Sequence, residues 1–297
     1  MNKKTIAHLS LFSANLIYAI NYTVAKTVMP QYVEPLGFIF MRVVGATLLF
    51  WLCYSLFAFE KIERKDMLRL MLCGLFGVAI NQMLFFEGLN LTTPINASVI
   101  MVTNPILVLI ISAFLISEKV TIRKLSGIVL GAIGAISLFT EGGNLSLLNS
   151  SQSLGNLLVL INACSYGVYL VIVKPLMTKY QTMTVISWVF FFGLIFVIPF
   201  GFGEFSQIEW STMPTNIIYA IIFVVVGTTF LAYLFNIIGL RTLSPTTVST
   251  YIYLQPILAS IIAISFNSDQ LDANKIISSL IIFAGVYLVS VERKTKN

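Results

Sequence analysis

The residues able to do chemistry in this sequence are polar side chains set inside apolar runs. Arg42 lies seven residues after Pro35 in one such run. At about 1.5 Å per residue it sits roughly 10 Å below the surface where that run begins. A guanidinium there costs at least a few kcal/mol unless it snorkels, meets water or finds a partner. Two roles fit it: a structural charge pair with Glu87, at the outer end of the third run, or contact with a carboxylate of a solute and gating. Asn104-Pro105 and Gln255-Pro256 form a second set. Proline has no N–H and obstructs the helical bond to the carbonyl four residues back, so the carbonyls of Met101 and Ile252 lose a donor. Backbone freed at membrane depth is tolerated only against protein or a water-filled cavity. Pro105 and Pro256 are therefore expected to act as hinges that bend their helices toward a central cavity. Asn104 and Gln255 then either contact a solute or satisfy the broken backbone beside them.

Further polar side chains fall at similar depth: Tyr18 and Asn21, with Asn15, in the first run; Gln82, with Asn81, in the third; Ser98; Tyr166 and Tyr169; Tyr233; and Ser249 with Tyr251. Tyrosine joins an apolar ring to one hydroxyl, which suits a cavity for partly apolar solutes. Taken singly, most of these groups would serve as interhelical hydrogen bonds of about 0.6 kcal/mol. Lys26 and Lys174 sit near the exits of their runs, where long stems reach the interface by snorkelling or serve as paired gate contacts.

What the sequence lacks narrows the chemistry. Of 12 carboxylates only Glu87 lies even partly within a run, and the single histidine, His8, stands at the start of the first. A buried carboxylate or histidine proton relay is not evident. There is no His-Glu-x-x-His, no phosphate-binding glycine loop and no Cys or His cluster. Cys53, Cys73 and Cys164 all fall inside apolar runs, where they read as packing. No enzymatic activity, metal or cofactor is expected, and the polar groups are read as non-covalent recognition.

The elements that must hold these residues follow from composition. The 297 residues are 58% hydrophobic and 10% charged, with a mean hydropathy of +0.92, against about 25% charged in a soluble domain. The chain reads as an all-α membrane protein in a lipid bilayer. Ten apolar runs of spanning length occupy about 6–28, 36–58, 67–89, 94–116, 122–140, 154–174, 183–203, 215–239, 245–266 and 275–291. Lys and Arg gather in alternate segments: Lys3 and Lys4; Lys61, Arg64, Lys65 and Arg69; Lys119, Arg123 and Lys124; Lys174 and Lys179; Arg241; and Arg293, Lys294 and Lys296. The opposite segments hold only Lys275, and Lys26 and Arg42 lie within runs. By the positive-inside rule both termini are cytoplasmic. The net charge of +6 is thus a topology signal, and no nucleic-acid partner is implied.

The chain also repeats itself. Gly88-Leu89, Pro94, Ser98 and Pro105-Ile106-Leu107 recur 151 residues later as Gly239-Leu240, Pro245, Ser249 and Pro256-Ile257-Leu258. Upstream, at an offset of 148, Tyr18, Lys26, Met29 and Tyr32 recur as Tyr166, Lys174, Met177 and Tyr180. Two units are expected, 1–143 and 144–297, joined through a polar linker at 141–153. Five spans per unit is odd, so the second enters the membrane from the opposite side and the pair forms inverted repeats. Such halves can exchange conformations and expose a central site to each side in turn.

Ten spans, short basic loops, Arg42 early in the second span, the Gly-Leu…Pro turn, Pro105, and Ser117-Glu118-Lys119 followed by Gly127, Gly131 and Gly134 together resemble the EamA family of the drug/metabolite transporter superfamily. The second copy departs from that pattern at Asp269-Gln270. The resemblance implies an inner-membrane permease or exporter of small organic compounds, amino acids and related metabolites or drugs, working at a cavity between the halves. The alternative is a non-transporting membrane sensor or assembly protein on the same fold. A small-molecule substrate is implied without its identity, and the oligomeric state is open.

Overall fold

The computed structural model describes residues 2–57, 60–92, 94–140, 150–265 and 273–290. Most of the expected linker, Asp269-Gln270, Arg293, Lys294 and Lys296 lie outside the described residues. Regular structure among the described residues is entirely helical. In the first part of the chain the helices are α1 (Lys3–Val28), α2 (Pro35–Phe57), α3 (Arg64–Gly74), α4 (Ile80–Leu91), α5 (Pro94–Met101), α6 (Asn104–Ile116) and α7 (Ile122–Thr140). They are followed by α8 (Ser150–Lys179), α9 (Thr182–Ser206), α10 (Thr215–Ile222), α11 (Ala232–Thr242), α12 (Pro245–Thr250), α13 (Leu254–Ser265) and α14 (Ala273–Ser290).

Among the described residues, five stretches are long and apolar enough to cross a membrane: Pro35–Leu56, Arg64–Leu91, Ser153–Lys179, Thr182–Ser206 and Thr215–Thr242; Asn104–Ile116 and Leu280–Val289 are shorter apolar helices. α1 matches the five in length but is less apolar. Its buried stripe recurs at three- and four-residue spacing through Ala7, Ser10, Leu11, Ala14, Asn15, Asn21, Tyr22, Ala25 and Val28, and part of that stripe is polar. The outward faces are apolar: Leu48, Phe114 and Leu280 are 67%, 84% and 64% exposed. Such a surface is stable against lipid and would associate in water.

Two devices interrupt the helices at matched places in the recurrence. α3 passes into α4 through a π-helical segment, Leu75–Ala79, and α10 into α11 through another, Phe223–Leu231. A π turn shifts the backbone ladder by one residue and so leaves carbonyls for side chains. The Phe76 carbonyl accepts from the Ser165 hydroxyl (2.6 Å), that of Gly77 from Tyr233 (3.0 Å) and that of Val224 from Thr229 (2.8 Å). The second device is a break just ahead of Pro105 and of Pro256, whereas Pro175 and Pro199 stand inside continuous helices. α5 stops at Met101 and α6 restarts at Asn104, while α12 and α13 are joined by a 3-10 turn, Tyr251–Tyr253.

Glycines set the closest approaches. A β-carbon on Gly88 of α4 would come within 2.8 Å of the Gly155 carbonyl oxygen of α8, and one on Gly127 of α7 within 2.8 Å of the Gly285 carbonyl oxygen of α14. The Gly127-Gly131-Gly134 stripe thus serves helix packing, as its spacing suggests.

Candidate functional site

A cavity with about 640 Å³ of empty space, its open mouth included, lies where α1, α4, α8 and α11 meet the two broken helices. Three of the four interruptions contribute to its wall. Met101 ends α5, its counterpart Ile252 lies in the α12–α13 turn, and Thr228 comes from the second π segment. Of the residues singled out in the sequence, the cavity gathers Tyr18, Asn21, Arg42, Gln82, Tyr166, Tyr233 and Gln255, with Asn15 and Asn81. Among the described residues no carboxylate lines it.

Hydrogen bonds tie the walls together. Gln82 Nε2 donates to the Tyr233 hydroxyl (3.2 Å), and these two residues are each other's counterparts at the 151 offset. A residue bonded to its own counterpart marks where the two halves face each other. The Tyr233 hydroxyl is also 3.1 Å from Asn81 Oδ1, while Asn81 Nδ2 donates to Asn162 Oδ1 (2.5 Å). Asn236 Nδ2 donates to the Tyr18 hydroxyl (3.1 Å).

The matched amides diverge. Gln255 Nε2 donates to Asn15 Oδ1 (2.8 Å) and its Oε1 accepts from the Tyr22 hydroxyl (3.1 Å), at the cavity. Asn104 faces the equivalent position of α8, but that residue is Ala163, which offers only backbone. Asn104 Nδ2 accordingly donates to the Ala163 carbonyl (2.6 Å), and Asn104 is wholly buried outside the cavity lining. Of the two alternatives open to each amide, solute contact or a tie to backbone, Gln255 is placed at the cavity and Asn104 against a backbone carbonyl.

Arg42 also has a different partner from the one expected. Its Nε donates to the Thr229 hydroxyl (3.0 Å), and its guanidinium carbon stands 4.1 Å from the centre of the Phe86 ring and 5.8 Å from that of Phe38. Glu87 makes no ion pair with it. Successive helix residues point about 100° apart, so turning Phe86 toward α2 turns Glu87 away. Arg42 is 2% exposed, and its Nη1 has no hydrogen-bond partner.

Four other expected site residues lie away from the lining. Tyr169 packs on Gly77, where a β-carbon would meet its ring at 2.3 Å. Ser98 is buried, and the Ser249 hydroxyl donates to the Thr246 carbonyl within α12 (2.9 Å). The Tyr251 hydroxyl meets His8 Nδ1 at 2.6 Å. Depth alone had selected these residues, and depth does not say which way a side chain faces. The cavity also holds residues that the sequence reading passed over: Tyr22, Phe85, Phe86, Asn162, Thr228 and Asn236. The available signal was position: Asn236 and Phe85 are counterparts at the 151 offset, one turn from Tyr233 and Gln82.

Lys26 and Lys174 take matched but unequal places. Lys26 Nζ donates to the Asn90 carbonyl at 3.2 Å, at the C-terminal end of α4. Lys174 Nζ donates to the carbonyls of Leu240 and Leu243, the latter at 2.6 Å, with that of Arg241 at 3.5 Å, at the end of α11. Asn90 and Arg241 are counterparts. An ammonium at a helix C-terminus meets carbonyls that have no intrahelical donor and the negative end of the dipole. The surrounding helices share the imbalance. At the Lys174 end α8 packs on α11 and α12 on α6, whereas the equivalent pairs, α1 with α4 and α13 with α5, meet far less. Outside the helical spans at the Lys174 end, Glu63 accepts from Lys179 and Lys65 (2.7 Å each), and these bonds hold its carboxyl below the usual carboxylate range.

Comparison with known proteins agrees with this architecture. The profile described as the EamA-like transporter family matches residues 5–140 and again 153–291. An uncharacterized transporter of Archaeoglobus fulgidus is 27% identical over 99% of both chains. The uncharacterized transporter YetK of Bacillus subtilis is 24% identical over 99% of this chain and 89% of its own, and a WAT1-related protein of Arabidopsis thaliana is 24% identical over 94% and 81%. One solved crystal structure, 16% identical, shares the fold with a TM-score of 0.76 over 96% of this chain and 97% of that one.

Proposed function

This chain belongs to the EamA-like transporter family, and from that premise we propose that it exports small organic metabolites across the cell membrane by alternating access. Reading α3–α4, α5–α6, α10–α11 and α12–α13 each as one interrupted crossing gives ten spans. They divide into inverted units at 1–143 and 144–297, and basic residues gather at the Lys174 end, which is then cytoplasmic together with both termini. The cavity between the units receives the solute.

The observation that carries this reading is the inequality of Lys26 and Lys174. In an inverted pair the two lysines sit at opposite membrane faces, and one sequence unit is found in two arrangements. Lys174 bridges carbonyls at a packed end, whereas Lys26 makes one longer bond at a loosely packed end. The conformation is then closed toward the cytoplasm, and exchange of the two arrangements would close the outer side and open the inner. The breaks before Pro105 and Pro256 supply the hinges.

Counterflow in proteoliposomes tests the proposal. Vesicles preloaded with a mixed pool of amino acids and organic acids should accumulate at least one labelled member of that pool, and protein-free vesicles should not. Absence of accumulation for every member, with protein that is monodisperse and melts cooperatively, would sink the transport reading.

A further inference from the structure

Resting on the reading of this cavity as the solute site, we infer that Arg42 is an anion receptor, and that the solute is an organic monocarboxylate carrying a hydrogen-bond donor on an apolar body. The guanidinium has five N–H donors in a fixed fork. Thr229 takes Nε at 3.0 Å, and the Thr229 hydroxyl is itself fixed by donating to the Val224 carbonyl, a bond made available by the π segment. Phe86 covers one face at 4.1 Å. The group cannot snorkel while its stem end is tied to Thr229 and its face to Phe86. Its Nη1 is buried and without a partner, and Arg42 lines a cavity at which, among the described residues, no carboxylate stands. A buried cation with one tied nitrogen and one free fork end is arranged for a carboxylate brought from outside.

The rest of the wall describes the remainder of the solute. Besides Arg42 Nη1, three buried cavity-lining atoms have no partner: Asn21 Oδ1, Gln82 Oε1 and Thr228 Oγ1. Two of these are acceptors only, so they ask for an N–H or O–H on the solute. Phe85, Met101 and Ile252 supply apolar surface between them. At the offset that pairs Tyr18 with Tyr166, the counterpart of Arg42 is Phe190, fully buried against Tyr233 and Phe50. The cavity therefore carries one cationic anchor and not two, which suits a single carboxylate rather than a dianion.

The test is calorimetric binding to detergent-purified protein, with acids and their neutral or cationic relatives as probes: 4-hydroxyphenylacetate and phenylalanine against 4-hydroxyphenylacetamide, phenylalaninamide and phenethylamine. The wild-type protein should bind at least one acid about tenfold or more tightly than its amide, the factor expected of a hydrogen bond to a charged group. Arg42→Gln should erase the preference for acid over amide, Arg42→Lys should keep part of it, and Thr229→Val should weaken the acid severalfold while leaving the amide unchanged. The inference is overturned if amides or phenethylamine bind as well as the acids, if no acid binds, or if Arg42→Gln keeps the acid preference. The comparison on wild-type protein needs no variant to fold. Failure of flux with acid binding intact removes only the transport reading; flux of neutral or cationic solutes, and not of acids, through the wild-type protein removes only this one.

Discussion

Replacing Lys174 by Met should open the packed end of the bundle, and the structure sets the size of the effect. The ammonium donates to Leu240 and Leu243 and approaches Arg241. Hydrogen bonds to a charged group contribute about 1.5–3 kcal/mol each, and the helix dipole adds about 0.3–1 kcal/mol. Lys174 is only half-buried, and the freed carbonyls can take water when the end opens, so the net loss is smaller than the sum, about 2 kcal/mol. That is roughly a 30-fold shift in a two-state population. Lys26→Met removes one bond at 3.2 Å here but, in the exchanged arrangement, the set of bonds that Lys174 makes in this one, so it should shift the population the opposite way by about fivefold, or about 1 kcal/mol. The assay is alkylation of a single reporter cysteine in inside-out vesicles by a membrane-impermeant maleimide. Cys53, Cys73 and Cys164 are replaced by alanine, and Thr246→Cys places the thiol at a wholly buried position of the packed end. The labelling rate should rise about 30-fold with Lys174→Met and fall with Lys26→Met. A rate unchanged within twofold for Lys174→Met, or the same direction for both lysines, would refute reciprocal latching.

Three further outcomes follow from the packing and the charges. Asn104→Ala removes a buried side-chain bond to the Ala163 carbonyl, so it should lower stability by about 0.5–1.5 kcal/mol with KM unchanged, whereas Gln255→Ala should raise KM; melting curves and flux kinetics separate the two. Gly88→Ala places a methyl 2.8 Å from the Gly155 carbonyl oxygen and should cost about 1–3 kcal/mol, while Gly203→Ala, with nothing within 4 Å, should leave the melting temperature unmoved. Glu63 has a depressed carboxyl pKa from its bonds to Lys179 and Lys65. Its contribution is present above the ordinary carboxylate value of about 4.3 and is lost as pH falls through the lower folded value. Melting temperature should thus be insensitive to this group between about pH 5 and 8, and Glu63→Gln should remove an acid-side inflection; an inflection that persists in that variant would assign it elsewhere.

Much of the architecture was legible because it rests on periodicity and on proline. The breaks ahead of Pro105 and Pro256 follow from a missing N–H, and the recurrence led to Lys26, Lys174, Tyr18 and Tyr166 as pairs. What stayed hidden depended on rotation about helix axes. Whether α4 turns Phe86 or Glu87 toward Arg42 is fixed by contacts with helices distant in the chain. The π segments were invisible as well, since no residue type demands them, yet one of them sets Thr229 under the guanidinium. Asn104 and Gln255 look interchangeable until their neighbours are known. Asn15 gives one amide a side-chain partner at the cavity, and Ala163 leaves the other only a backbone oxygen.

The bond between Gln82 and Tyr233 carries a consequence about history. Positions that touch their own counterparts would, in a pair of identical separate chains, touch themselves, so a substitution there alters both sides of one contact at once. Only amino acids compatible with their own copy could then be accepted. Once both units lie in a single chain, each side mutates alone, and a glutamine can face a tyrosine. A contact made within one chain is free of self-complementarity, as is the position where one half has Arg42 and the other Phe190.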